Sequence, residues 1–573
     1  MAFTEQDPLL PSIDNDRSQR SKPAPVGPLE ISRSTRYAIL AGSWSATFLA
    51  ALNTTLVATL IPSISSEFKK SNEASWLGTS YLLAVCTFTP LYGRLCDVLG
   101  RRRANQLAVG ATALGTIACA FSRDMKMLVA ARFLAGMGGG GVFTTSSIIT
   151  SDMYDMRSRG LAQGVSSLFT GLGLGLGGPL GGLLSDLFGW RWAFIMQIPV
   201  FVLSLILTEY NLHYVTPGVG SSTKEVLKRI DWAGCLTLLI AIGSFLAFLG
   251  VKFNEDLPWT NSLVIASLTL AAVFMVAFIL VELLVAAEPV LAPVLLRQKV
   301  PVMVGMSNFF VSVCTFSITY FFPMWFQIVA LTSATEAGLH LLPNSVAMSS
   351  GSLFAGYLMH RTGKYKMINL VFGLFPFIGG LLITFIHEDS GPWQSWLSII
   401  PLGFGNAVVL QTMLIALLAH LPDNLMAVGT GFGQVFRGLG QVIGVAVSSA
   451  IFQFKLDVEL RKRIDRPDAA EIIHNIRHSA TLVAQLPPDL QQAAKDSYAV
   501  ALRDVFVFAA CSTLVAYIVR LPVPEKSLDH NPKKGLIENQ NGISHANGNR
   551  AHDGEENGAP PAATVSNPVT PRQ

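Results

Sequence analysis

Charge is what this chain most lacks. Only 14% of its 573 residues are Asp, Glu, Lys or Arg, against roughly 25% in a soluble domain. A chain so poor in charge cannot clothe itself in a hydrated surface, and that excludes an ordinary soluble protein. Cysteine is sparse too. Cys86, Cys96, Cys119, Cys235, Cys314 and Cys511 all lie in or beside apolar runs without paired spacing, which argues against a disulfide framework. The ten histidines are scattered without metal-ligand spacing, so no metal is expected. There is no Gly-x-x-x-x-Gly-Lys-Ser/Thr, so no phosphate-binding loop of that kind and no ATP-driven step is expected. No enzymatic constellation appears, and a net charge of +4 suggests no nucleic-acid partner. Met1 to Arg36 is polar and Pro-rich, with no cleavable signal peptide.

What is present is apolar. The chain is 51% hydrophobic, with a mean hydropathy of +0.46. Its long runs read as about fourteen membrane spans, each near the roughly 20 residues a bilayer requires. They cover Tyr37–Ile64, Trp76–Leu95, Leu107–Phe121, Met127–Thr150, Leu161–Leu187, Trp192–Leu207 and Trp232–Val251. The remainder are Ser262–Ala287, Val302–Leu331, Gly338–Met359, Met367–Ile386, Trp393–Leu418, Met426–Phe454 and Val500–Leu521. Under this count the basic loops fall on one side. They hold Arg101 to Arg103, Arg157 and Arg159, Lys224 with Lys228 and Arg229, Arg297 with Lys299, and Arg361 with Lys364 and Lys366. That side is assigned to the cytoplasm, since short cytoplasmic loops concentrate Lys and Arg. Both termini then face the cytoplasm. The segment 455–497 faces the opposite compartment and has room for a short amphipathic helix.

The expected organisation is a disordered tail (1–36), a six-helix half (37–210), a cytoplasmic loop with two inserted helices (211–300), a second six-helix half (301–521) and a disordered tail (522–573). The fold class is an all-α polytopic membrane protein.

The most informative loop is Gly93-Arg-Leu-Cys-Asp97-Val-Leu-Gly100-Arg101-Arg-Arg, between the second and third spans. Gly93 lets a neighbouring helix approach closely, and Gly100 permits the turn. Asp97 stands one helical turn before Arg101, so the two can pair if the helix continues. The same spacing returns at Gly356-Tyr-Leu-Met-His360-Arg-Thr-Gly363-Lys364, with His for Asp and Lys for Arg. Pro62 of the first span has a counterpart in Pro323 of the ninth, and the Gly-rich fifth span in the thirteenth. Two related halves with an insertion between them are the architecture of a carrier that rocks about a midplane site.

The Gly93–Arg101 pattern resembles the loop signature of the major facilitator superfamily, after that family's second span. The resemblance implies that Asp97 and Arg101 gate the two halves and do not touch substrate; Gly356, His360, Gly363 and Lys364 are the matching positions of the second half. Arg132 lies in Arg132-Phe-Leu-Ala-Gly136, which resembles the family's fourth-span motif, where the arginine is associated with proton transfer. By cost alone, an arginine inside an apolar run penalises insertion by about 2.5 kcal/mol or more. It therefore either faces the bundle interior or snorkels to the interface. In the fifth span Gly173, Gly177 and Gly181 recur every fourth residue, giving one smooth face for packing. Gly178-Pro179-Leu-Gly181-Gly182 resembles the antiporter motif of the superfamily, although Leu174 stands where a further glycine is expected. Pro179 is read as a helix kink. Trp190-Arg191-Trp192 also resembles the family.

Leu52-Asn53-Thr54-Thr55-Leu56 resembles the first-span signature of the fourteen-helix drug:proton antiporter branch, with Asn53 where that signature carries Asp. Asparagine can hydrogen-bond a substrate and cannot release a proton. In the second half Asn308, Gln327, Asn406, Gln411, Gln434 and Arg437 are polar groups inside apolar runs. Such groups need partners or water, so they either glue helices or line a pathway.

Tyr320 to Gln327, Ala337 to Pro343 and Arg361 to Lys366 look most like the fungal vacuolar basic amino-acid transporters. Glu5 precedes Leu9-Leu10 by four residues, resembling an acidic dileucine signal read by a sorting adaptor. The expectation is a monomeric secondary carrier in the vacuolar membrane. It takes Lys, Arg or His into the lumen, driven by the proton gradient without a cofactor. A plasma-membrane efflux pump for drugs or secondary metabolites is the alternative, and a non-transporting nutrient receptor on a carrier fold is a third reading.

Overall fold

In a bilayer every backbone amide must find its partner within its own segment, so apolar runs of this length become helices. The computed structural model describes residues 28, 30–70, 73–154, 156–214, 231–284, 293–422, 425–466, 468–478 and 480–526. The long helices of the first half are α1 (Arg33–Glu67), α2 (Ser75–Ala120), α3 (Met125–Asp152), α4 (Met156–Phe188) and α5 (Ile198–Asn211). The inserted pair is α6 (Trp232–Leu249) and α7 (Ser262–Leu284). The second half holds α8 (Lys299–Ile328), α9 (Leu342–Thr362), α10 (Lys366–Thr384), α11 (Ile400–His420), α12 (Met426–Arg463), α13 (Ala469–His478) and α14 (Pro488–Arg520). Side chains set several starts. Ser32, Asp124 and Asp231 accept hydrogen bonds from the free amides of Thr35, Met127 and Gly234 at α1, α3 and α6.

Among the described residues eleven helices are long and apolar enough to cross a membrane. The fourteen read from the sequence also count the two arms of α2, and α9, which that criterion does not reach. The very short loop expected after the second span comes down to one residue. α2 is two helical arms that meet at Gly100, whose φ of +80° and ψ of 160° leave the helical region and make the turn. Arg101 to Arg103 therefore already belong to the second arm. Gly363, the matching glycine of the second half, also has positive φ (+65°) and ends α9. A left-handed residue is needed at both turns, which is why both are glycine.

The segment 455–497 holds the short helix its composition allows. α12 continues to Arg463 and α14 already begins at Pro488, so both helices extend well past the apolar runs. Between them α13 and a 3-10 turn (Ala480–Gln485) bury Ile473, Ile476 and Val483. That turn packs on the ends of α1 and α8. Arg477 anchors α13 by pairing with Asp457 at 2.9 Å and donating to the Asn254 carbonyl at 3.2 Å.

The two halves touch at the helix ends away from the basic turns. Tyr320 Oη of α8 donates to the Thr54 carbonyl of α1 at 2.9 Å, and Gln327 Nε2 donates to the Thr59 carbonyl at 3.3 Å. A methyl group at Gly182 of α4 would lie 2.4 Å from the Ala334 carbonyl oxygen, so backbones touch there. A methyl at Gly438 of α12 would lie 2.8 Å from Cys86 Sγ of α2. A Cβ at Gly164 of α4, Gly356 of α9 or Gly431 of α12 would meet nothing within 4 Å, and one at Gly93 would meet only Thr144 Cγ2, at 3.9 Å. Gly93 is therefore no close-packing position in this structure.

Candidate substrate pathway

α4 shows how the sequence brings the halves to a common seam. Its glycines form two rows. A Cβ at Gly173 would meet the Phe48 carbonyl oxygen at 2.3 Å, at Gly177 Thr55 Oγ1 at 2.1 Å, and at Gly181 the Leu56 carbonyl at 3.0 Å, all on α1. The other row, Gly171, Gly175, Gly178 and Gly182, faces α9 and the short helix Ala334–Leu339 before it. The helix continues through Pro179, and the Gly178 carbonyl accepts from Thr59 Oγ1 at 3.2 Å. Glycine on both faces lets α4 sit wedged between α1 and the second half.

Beside the Tyr320–Thr54 contact between the halves lies a buried polar cluster. Arg132 and Asn53 both have no accessible surface. Arg132 Nε donates to the Leu77 carbonyl at 3.1 Å, and Nη2 to the Asn53 carbonyl at 2.8 Å. Nη1 lies 3.4 Å from Asn53 Oδ1. Asn53 Nδ2 donates to Gln197 Oε1 at 2.6 Å, and Gln197 Nε2 to the Ala193 carbonyl at 2.8 Å. The guanidinium carbon stands 4.3 Å from the centre of the Tyr81 ring, and Tyr81 Oη donates to the Ala50 carbonyl at 2.9 Å. Arg132 does not snorkel. Carbonyls and an aromatic face hold its charge, with no carboxylate bonded to it among the described residues. The motif glycines explain themselves here: a Cβ at Gly136 would strike the Tyr81 carbonyl at 2.3 Å, and one at Gly139 the Tyr81 hydroxyl at 2.6 Å. They leave room for the ring that seats the arginine.

The sequence reading placed Asn53 and Arg132 in the pathway, and the structure brings them together. It also seals them, so Asn53 cannot meet a substrate in this conformation. Gln197, Tyr81 and Tyr320 were not singled out. Gln197 carried a usable signal, a lone amide inside an apolar run; the two tyrosines carried none, since tyrosine is common in such runs.

The remaining candidates separate. Gln327 belongs to the contact between the halves and not to an open pathway. Asn406 is fully buried and donates to Thr315 Oγ1 at 3.0 Å, tying α11 to α8. Asn308 is buried beside Gly433, its Oδ1 without a hydrogen bond. Gln411 is partly exposed, Gln434 is exposed and Arg437 is partly exposed. His360 and Lys364 are exposed at the end of α9. The expected Asp97–Arg101 pair cannot be placed, because the Asp97 side chain lies outside the described ones. Arg101 Nε reaches Asp152 Oδ2 of α3 at 2.9 Å, across the turn that Gly100 makes. Arg102 pairs with Glu209 of α5. Glu5, Leu9 and Leu10 lie outside the described residues.

The sequence comparisons agree with this geometry. The family model described as Major Facilitator Superfamily matches residues 43–445. The chain is 37% identical over 499 residues to the multidrug resistance protein fnx1 of Schizosaccharomyces pombe, covering 86% of this chain and 93% of that one. It is 31% identical over 482 residues to the vacuolar membrane amino acid uptake transporter fnx2 of the same yeast, covering 84% and 83%. It is 28% identical over 457 residues to vacuolar basic amino acid transporter 2 of Saccharomyces cerevisiae, covering 78% and 96%. A crystal structure of a bacterial homologue of the human lysosomal transporter Spinster shares the fold at a TM-score of 0.55 and 15% identity, covering 85% of this chain and 98% of that one. With its helices, its repeated turn glycines and its buried arginine accounted for, this chain belongs to the Major Facilitator Superfamily and is a multi-pass membrane transporter, not an enzyme.

Proposed function

We propose that the protein is a proton-coupled antiporter that moves basic amino acids from the cytosol into the vacuole. The observation that carries this reading is the buried Arg132–Asn53–Gln197 cluster beside the contact that joins the two halves. A carrier closed at that end loads from the other, which the basic turns assign to the cytosol. The amino-acid and vacuolar designations of fnx2 and of the Saccharomyces relative support amino acids and the vacuole. Arg132 supports coupling by resemblance, while Asn53 supplies no titrating group where the branch signature has Asp. Proton coupling is therefore the part that a gradient must test.

The experiment is uptake of labelled Lys, Arg and His into isolated vacuole vesicles, with the gradient intact and collapsed. Accumulation that needs both this protein and the gradient is expected. Uptake unaffected by deleting the protein would refute the amino-acid reading. Its similarity to fnx1 favours a second reading, drug efflux at the plasma membrane. Replacing Leu9 and Leu10 by Ala separates the two locations. A vacuolar protein directed by that signal moves to the cell surface, visible by tagging and microscopy; an unchanged vacuolar pattern would discard the signal.

A further inference from the structure

We infer that the polar face of α12, centred on Arg437, is the site that takes the substrate's carboxylate. This rests on the transporter reading and extends it to a substrate class.

α12 has two exposed faces of opposite character. Phe436, Leu439, Ile443, Val447 and Phe454 retain accessible surface along one side, which is apolar throughout. Gln434, Arg437 and Gln441 retain it on the other. At 100° per residue, Gln434 lies about opposite Ile443 and Phe454. The apolar face is the one suited to acyl chains, so the polar face turns inward. It also lies between the rows by which α12 touches its neighbours. Gly440 and Gly444 press on Phe309 and Val313 of α8, whereas Val435 and Gly438 meet Cys86 of α2 in the other half. A face flanked by the two halves on the side away from lipid borders the space between them.

Arg437 lies deep in the bundle yet keeps accessible surface, and no charged group among the described residues acts on it. Arg132 differs, because carbonyls and the Tyr81 ring already occupy its guanidinium. Arg437 thus offers a fork of free donors, and two amides stand within a turn of it. One turn before Arg437, Gly433 lies against Asn308, whose buried Oδ1 has no hydrogen bond. Guanidinium recognises a carboxylate through two parallel hydrogen bonds, and a low-dielectric seam strengthens them. No described carboxylate meets either arginine to select a cation. A basic amino acid would be held by its α-carboxylate, and its amine end would find only carbonyls, amides and rings.

The test is binding to the purified full-length chain in nanodiscs, using matched pairs: lysine against cadaverine, arginine against agmatine, and benzoate against benzamide. The carboxylate member of a pair should bind, its partner should bind at least about 10-fold more weakly, and Arg437→Gln should erase the difference. Arg437→Lys should restore part of it, because Lys keeps the charge without the fork. Gln434→Leu, on an exposed position, should weaken carboxylate binding if R437Q fails to fold. Benzoate binding that needs Arg437, with no amino-acid binding, would sink the amino-acid reading and keep this site. Cadaverine and agmatine binding as tightly as their amino acids, carboxylates that do not bind at all, or unchanged discrimination in the variants would overturn it.

Discussion

Replacing Arg132 by Ala should reduce transport by at least about 100-fold while the protein still reaches the membrane. Three helices meet at this side chain, because its donors bind carbonyls of α1 and α2 from a position on α3. Alanine leaves the Asn53 and Leu77 carbonyls unpartnered where water cannot follow, at about 1–3 kcal/mol each. It also strands the face of Tyr81. Two such losses sum to about 2–6 kcal/mol, a range that spans the roughly 2.7 kcal/mol corresponding to 100-fold. Arg132→Lys is the sharper variant. It keeps a positive charge, but one ammonium cannot span the Leu77 and Asn53 carbonyls as a fork does. Lys should therefore fail nearly as badly as Ala in the vesicle uptake assay, normalised to protein in the membrane. Full activity in R132K would mean that charge alone is needed and the three-helix tie is dispensable.

A valine at Gly78 should drive the carrier away from the state in which the two halves touch at Tyr320. A Cβ there would lie 2.4 Å from Tyr320 Cε1 and 2.8 Å from its hydroxyl. Tyr320 has nowhere to retreat: it is buried, and its hydroxyl is committed to the Thr54 carbonyl across the seam. Overpacking of this kind costs about 1–3 kcal/mol. The cost falls only on the conformation in which α8 and α2 touch, so the populations should shift by roughly 5- to 150-fold. A Gln327→Cys reporter checks this, since the side chain at 327 reaches the Thr59 carbonyl across the seam while the halves are closed there. A membrane-impermeant maleimide added from that side should label it faster in G78V than in the parent, over the background of a chain with Gln327 intact. Tyr320→Leu in the same chain should restore room and slow the labelling. Equal rates with and without G78V would show that Tyr320 is no part of the closure.

Much of the fold was legible before any coordinates. The apolar runs set the helices, because a bilayer forces their amides inward. The repeat at Gly363 was legible because a left-handed turn accepts few residues other than glycine. Arg132 and Asn53 stood out because burying such groups is costly, and the structure pairs them. The turn after the second span was legible at Gly100; only its length was not, since a break at one residue suffices to turn the chain, and the arginines belong to the next arm. Gly93 was misjudged for a related reason, since a glycine that permits close approach need not be approached in every state.

By itself the sequence determined the class of protein, the repeated turn glycines, and which buried groups are expensive. Each follows from local composition or spacing. Only the tertiary structure decided that Asn53 answers to Gln197, that Gln327 joins the two halves while Arg437 keeps accessible surface, and that Gly93 is not packed against. Those facts depend on how separate helices are rotated and set against one another. The hydropathy of a single span constrains its rotation only weakly when lipid and neighbouring helices are both apolar.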